Sequence, residues 1–198
     1  MEMLLKKAKL EFGYSDKEIS MIRYTLTALL YDLSKMILYG IFFYYLGMLI
    51  HYLFAAVPLI LLRTKNGGIH FKHYVSCLLF TFAFLYAVIV VLPTYVSILP
   101  IYLYPILLLC VLINCLIGPN SMNRKKRPDD AYIKEARIHT IRVITFIAVL
   151  LFIFSASDYL IVSFWTVVLY TIQMMITPFA KEVKYHEKAV KQDSLPTV

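Results

Sequence analysis

The chain predicts an all-α fold: a polytopic transmembrane helical bundle of four to six membrane segments. Three observations lead there. Of its 198 residues 61% are hydrophobic, against about 45–50% in a soluble domain. The mean hydropathy is +0.72. Only 16% of residues are charged, and they gather in short stretches between apolar runs that match a hydrocarbon core about 30 Å thick. The length suits one membrane domain, 1–198. The formal net charge is +8, but the Lys and Arg residues flank apolar runs. That is the pattern of the positive-inside rule and of contacts to an anionic lipid bilayer or an acidic partner, so no nucleic-acid partner is expected.

Residues 1–23 predict an amphipathic interfacial helix. Leu4, Leu5, Ala8, Phe12, Ile19 and Ile22 recur at helical spacing among Lys6, Lys7, Lys9, Glu11, Asp16, Lys17, Glu18 and Arg23; a frayed polar terminus is the alternative. This stretch lacks an apolar core of the signal-peptide kind, so the bundle's own helices are expected to direct insertion. Residues 24–62 form the first apolar stretch, interrupted by Asp32, Lys35 and His51. A break near Gly47–His51 leaves Tyr24–Leu46 as a full span and Tyr52–Leu62 as a short, re-entrant candidate. Asp32 and Lys35 are i,i+3 neighbours and predict a structural ion pair on one helical face.

A polar interval, 63–73, follows, then an apolar run at 74–92, an uncharged turn at 93–100 and a second run at 101–117. The interval 119–142 is the most polar, with seven basic residues (Arg124, Lys125, Lys126, Arg127, Lys134, Arg137, Arg142) against Asp129, Asp130 and Glu135. Spans at 143–154 and 159–179, split near 155–158, complete the membrane part of 74–179, and a tail over 180–198 carries Lys181, Lys184, Lys188 and Lys191. The basic segments belong on the cytoplasmic side of a bacterial plasma membrane. The turns at 93–100 and 155–158 belong outside, so both termini are cytoplasmic and the number of crossings is even.

Three cysteines, Cys77, Cys110 and Cys115, lie in apolar sequence and do not make a disulfide framework. Cys110 and Cys115 read as packing residues. Trp165 and the sixteen tyrosines read as bundle packing or an interfacial belt.

The interval 63–77 carries the chemistry. It gathers Arg63, Gly67, Gly68, His70, His73 and Cys77 at a membrane boundary. A thiol with a pKa near about 8.5 is a few per cent thiolate at neutral pH, and an imidazole can take its proton. Cys with His is the minimum set for acyl transfer through a thioester. In one straight helix His70 and Cys77 would share a face but stand about 10 Å apart along the axis, too far for a hydrogen bond of about 2.6–3.2 Å. A working pair therefore needs a helix that starts after His70, near Lys72–Tyr74, with Gly67–Gly68 letting the preceding chain fold back. Cys77 would then lie in the first turn or two, where the helix dipole favours a thiolate. Two other readings stay open. His73, four residues before Cys77, competes as the base. His70, His73 and Cys77 at i, i+3, i+7 could ligate a metal, although no fourth ligand stands at a characteristic spacing and no metal is expected. The plainest reading has the histidines at the headgroup level and Cys77 as a small buried residue.

The run Arg63-xxx-Gly67-Gly68-x-His70-xxxxxx-Cys77 resembles the AgrB family (accessory gene regulator protein B), membrane peptidases of Gram-positive quorum sensing. Gly118-Pro119 at the end of a span, the basic loop with Arg127-Pro128, and Glu135-Ala136-Arg137 add to the likeness. Members often carry a small residue after the histidine, where this chain has Phe71. The resemblance implies a cysteine endopeptidase without a cofactor. Cys77 attacks a scissile carbonyl of an AgrD-like propeptide and His70 activates the thiol. An internal Cys or Ser of the propeptide then closes a thiolactone or lactone ring, giving an autoinducing peptide. Arg63, Gly67 and Gly68 would belong to the substrate site, and Arg124, Lys125, Lys126 and Arg127 would face the acidic propeptide tail. A homodimer is also implied by the resemblance. The alternatives from other classes are a small membrane transporter with Asp32, Lys35 and tyrosines along its path, or a non-catalytic membrane assembly module.

Overall fold

The computed structural model describes residues 16–68, 73–119, 129–154 and 157–193. Among the described residues every regular element is helical: α1 (Asp16–Tyr45), α2 (Leu49–Asn66), α3 (Tyr74–Tyr95), α4 (Pro100–Ile117), α5 (Asp130–Ile153) and α6 (Asp158–Asp193). Four of these are long and apolar enough to cross a membrane: α3, α4, α5 and the Asp158–Pro178 part of α6. That is the lower end of the expected range. Most of the amphipathic segment expected over 1–23 lies outside the described residues, as do 69–72, 120–128 and 194–198.

The chain divides into two compact units, Met1–Gly47 and Met48–Val198. In the first, α1 runs without interruption through the Arg23/Tyr24 boundary where an interfacial segment was expected to give way to a span. Lys35 Nζ bonds Asp32 Oδ1 at 3.0 Å, the expected i,i+3 pair. After Tyr45 the chain turns at Gly47, whose φ of 68° favours glycine.

In the second unit α6 is central and packs against α2, α4, α5 and the second half of α3. It buries a column of small hydroxyl residues. Thr166, Thr171 and Thr177 each bond the carbonyl four residues back, at 2.8–2.9 Å, which satisfies their hydroxyls in apolar surroundings. Across helices, Asn114 Nδ2 donates to Thr171 Oγ1 at 2.7 Å and to Cys110 O at 2.8 Å. Cys110 is buried beside this contact, in keeping with a packing role.

Three boundaries differ from the sequence expectation, each for a local reason. Helix α5 begins at Asp130, inside the interval taken as polar, because Ala136, Thr140, Val143, Ile144, Ile147 and Leu151 make one continuous buried face and acidic Asp130 suits the first turn. Helix α3 passes through Pro93 to Tyr95, where a turn was expected. A π-helical stretch, Ala87–Val91, shifts the Leu92 N–H onto Ala87 O and widens the helix ahead of the proline ring, and Thr94 Oγ1 donates to Val90 O at 2.6 Å. Helix α6 continues to Asp193 through much of the segment expected as a tail. The expected break between the last two spans is present, between Ile153 and Asp158.

A cavity of about 390 Å³ opens where α2 and α6 begin and α3 ends, lined among others by Met48, His51, Thr94, Ser97, Asp158 and Trp165. It lies at the end of this unit opposite to the start of α3.

Helix α2 continues to Asn66, four residues beyond the boundary expected at Arg63. Its last turn is held by side chains from α5 and α6. Lys65 O accepts from Tyr132 Oη at 2.8 Å, and Arg63 O accepts from Gly67 N at 3.0 Å. The Tyr170 hydroxyl, fully buried, lies 3.0 Å from Gly67 O and 3.3 Å from Leu62 O. His139 Nε2 reaches Leu61 O at 2.9 Å, and since a carbonyl can only accept, that nitrogen carries the proton. Asn66 Nδ2 donates to Thr140 Oγ1 at 2.6 Å. Further along α2, Pro58 has no N–H for Phe54 O, and Ser163 Oγ of α6 supplies the missing donor at 2.6 Å.

Two outcomes follow for stability, read as unfolding free energy in a mixed-micelle denaturation series. Tyr170→Phe strips the donor from Gly67 O and Leu62 O and should cost about 1–2 kcal/mol. Ser163→Ala should cost about 1 kcal/mol in the parent chain. In a Pro58→Ala background that cost should shrink, because the restored N–H of residue 58 bonds Phe54 O. Equal costs in both backgrounds would refute the substitution of hydroxyl for backbone donor.

Candidate active site

The Gly67–Gly68 pair closes α2 by two different physical means. Gly67 has φ 79° and ψ −148°, a combination open only to glycine. Gly68 is buried, and a β-carbon there would lie 3.1 Å from Gln173 Nε2 and 3.8 Å from Arg63 Nε. The first glycine permits the turn; the second lets two polar side chains approach the backbone.

Arg63, one turn before the pair, is half-buried between helices. Its Nη2 donates to Gln173 Oε1 at 3.4 Å, and its guanidinium carbon sits 5.8 Å from the centre of the Phe84 ring on α3. The arginine can only donate, so the amide oxygen of Gln173 faces it and the amide nitrogen faces Gly68. Gln173 Nε2 is buried and has no hydrogen-bond partner among the described residues. Beside this cluster Lys65 Nζ bonds Glu135 Oε1 at 2.7 Å. The hydrogen bond and charge of Glu135 raise the lysine's pKa above its ordinary value.

Helix α3 starts at Tyr74 with His73 as its N-cap residue, and the Cys77 N–H makes the bond back to His73 O at 3.2 Å. Cys77 is thus the fourth residue of the helix, half-buried, within the first turn or two as the pairing argument requires. His73 is exposed, with extended backbone (φ −96°, ψ 135°). Phe84 stands seven residues after Cys77 in the same regular helix, so the two share a face, about 10 Å apart along the axis. The chain therefore brings Arg63, Gly68 and Gln173 together, and Arg63 meets α3 at Phe84, on the face that also carries Cys77. His70 lies outside the described residues, as do Arg124, Lys125, Lys126 and Arg127. Among the described residues no three His, Cys, Asp or Glu side chains cluster as metal ligands.

Sequence reasoning missed Gln173, Tyr170 and Thr140. Each sits in the apolar 159–179 run or the polar 119–142 interval and carries no local signature. Only the fold shows that they meet the end of α2.

The chain is 40% identical over 80 residues to a protein of Clostridium beijerinckii named as AgrB-like, a match that covers 40% of this chain and 39% of that relative's length. No solved structure matches the chain. The family model for accessory gene regulator B matches residues 2–176. That span includes α1 to α5, nearly all of the apolar part of α6, and the whole Arg63-to-Cys77 segment, so the chain belongs to the accessory gene regulator B (AgrB) family.

Proposed function

We propose that this protein is a cysteine endopeptidase of the bacterial plasma membrane, working at the cytoplasmic boundary on an AgrD-like quorum-sensing propeptide. The observation that carries the reading is the pairing of family membership over residues 2–176 with Cys77 at the fourth position of a helix that starts only after His70.

In this reading His70 takes the thiol proton and the Cys77 thiolate attacks the scissile carbonyl carbon. The amide C–N bond breaks, the proton passes to the leaving amine, and the peptide is held as a thioester. A nucleophilic Cys or Ser within the propeptide then displaces Cys77 and closes a thiolactone or lactone ring. Thioester exchange conserves the acyl energy that hydrolysis would dissipate, so the site has to exclude water. Forming a thioester from an amide is uphill, and removal of the acidic tail draws it forward. Arg124, Lys125, Lys126 and Arg127 offer a cationic counter-surface for that tail. The protein works as a homodimer in this scheme.

Mixing the purified full-length protein with an AgrD-like propeptide should give a Cys77-linked acyl adduct by mass spectrometry and release of the acidic tail. Cys77→Ala should abolish both. His70→Ala should slow tail release by about 10²-fold or more. Cleavage that persists in both variants would sink the reading, and no cleavage by the parent protein would favour a transporter or an assembly module.

A further inference from the structure

The amide nitrogen of Gln173 is a buried donor with no hydrogen-bond partner among the described residues. Its oxygen is engaged by Arg63 at 3.4 Å, and Arg63 in turn is packed over Phe84. The amide therefore cannot rotate without placing its N–H₂ against a guanidinium that has no acceptor. The nitrogen points at the bare face of Gly68, within 3.1 Å of where a β-carbon would stand. Among the described residues no acceptor meets it. A buried donor without an acceptor is costly, whereas Asn66, Thr140, Tyr170 and Thr171 at this end have partners. What it lacks is an acceptor that arrives with the substrate. A carbonyl oxygen fits, since it can accept from Nε2, and Cys77 shares the face of α3 on which Phe84 meets Arg63.

We propose that Gln173 Nε2 donates to the scissile carbonyl oxygen and holds it as it becomes an oxyanion. This rests on the peptidase reading above. In that step the Cys77 sulfur forms its bond to the carbonyl carbon and the π pair moves onto oxygen beside Nε2. When the pair returns, the bond to the leaving amine breaks and the amine takes the proton that His70 carried. A preorganised donor aimed at the developing charge contributes more to the transition state than to the resting carbonyl. Arg63 acts through Gln173 as a positioning residue: it fixes which end of the amide faces the substrate. Gly68 keeps the approach open.

The test separates chemistry that builds an oxyanion from chemistry that does not. p-Nitrophenyl acetate acylates a thiol through a tetrahedral oxyanion, whereas iodoacetamide alkylates the same thiol by direct displacement. Both are applied to the full-length protein, with modification of Cys77 followed by mass spectrometry. Gln173→Glu keeps the shape and the acceptor for Arg63 and replaces the donor with a negative charge, so it is read beside the uncharged Gln173→Met. It should slow acetylation of Cys77 by about 10²-fold and leave alkylation within about twofold. Gln173→Met, which keeps the volume and removes both polar atoms, should do the same. Gly68→Ala should also lower acetylation, and combined with Gln173→Glu it should add little, because both act on one donor. Unchanged acetylation in both Gln173 variants would overturn the proposal. A parallel fall in acetylation and alkylation would overturn it too, since Gln173 would then act on the thiol or the fold. The peptidase reading fails separately, if Cys77→Ala still cleaves the propeptide. Propeptide cleavage that needs Cys77 yet runs at the parent rate in Gln173→Glu rejects this inference alone.

Discussion

The end of a helix in apolar surroundings has carbonyls with no partner in the helix itself, and no water to take their place. Helix α2 ends this way, and most of the second unit is arranged around that need. Tyr132 and His139 from α5 and Tyr170 from α6 bring hydrogens to Lys65, Leu61, Leu62 and Gly67, while Asn66 binds Thr140 through its side chain. These contacts tie three helices at one level. They also hold Gly67, so the position of the Gly67–Gly68 turn follows from the way α2 is capped.

The same device recurs in the middle of the bundle. Pro58 removes a backbone donor, and the partner helix supplies a hydroxyl. The π-helical stretch in α3 absorbs Pro93 by a register change, with Thr94 covering a carbonyl. Backbone irregularities are thus met by side chains of neighbouring turns, and the outer faces are free to be apolar: Leu79, Leu108, Leu116, Phe146 and Phe152 are exposed, as expected where the surrounding solvent is hydrocarbon.

Much of this was legible in the sequence. The apolar runs located α3, α4 and the last two helices, since hydropathy at that length reports on lipid and needs no knowledge of packing. The Arg63-to-Cys77 spacing pointed to a candidate site and to a helix starting after His70, and α3 does start later, at Tyr74. Helix ends were less legible. Arg63 and Lys65 looked like the start of a loop, yet Gln173 and Glu135 from other helices accept their charges and the helix runs on to Asn66. The Asp130–Arg142 interval looked like a loop by charge, while its buried face is set by Ala136 and Thr140, small residues that hydropathy scarcely registers. Gln173 had no signature at all. Its meaning comes from a glycine more than a hundred residues away.

The chain contains one tryptophan, and its place gives it a further use. Trp165 is buried against Phe164 and lines the cavity where α2 and α6 begin. Along α6 it stands eight residues before Gln173, about 12 Å, at the far end from the thiol. Excited where tyrosine does not absorb, its emission is therefore a single-site signal from the end of the second unit away from Cys77. A change in that emission on adding a ligand that binds near Cys77 would report motion transmitted along α6, without a label or a mutation.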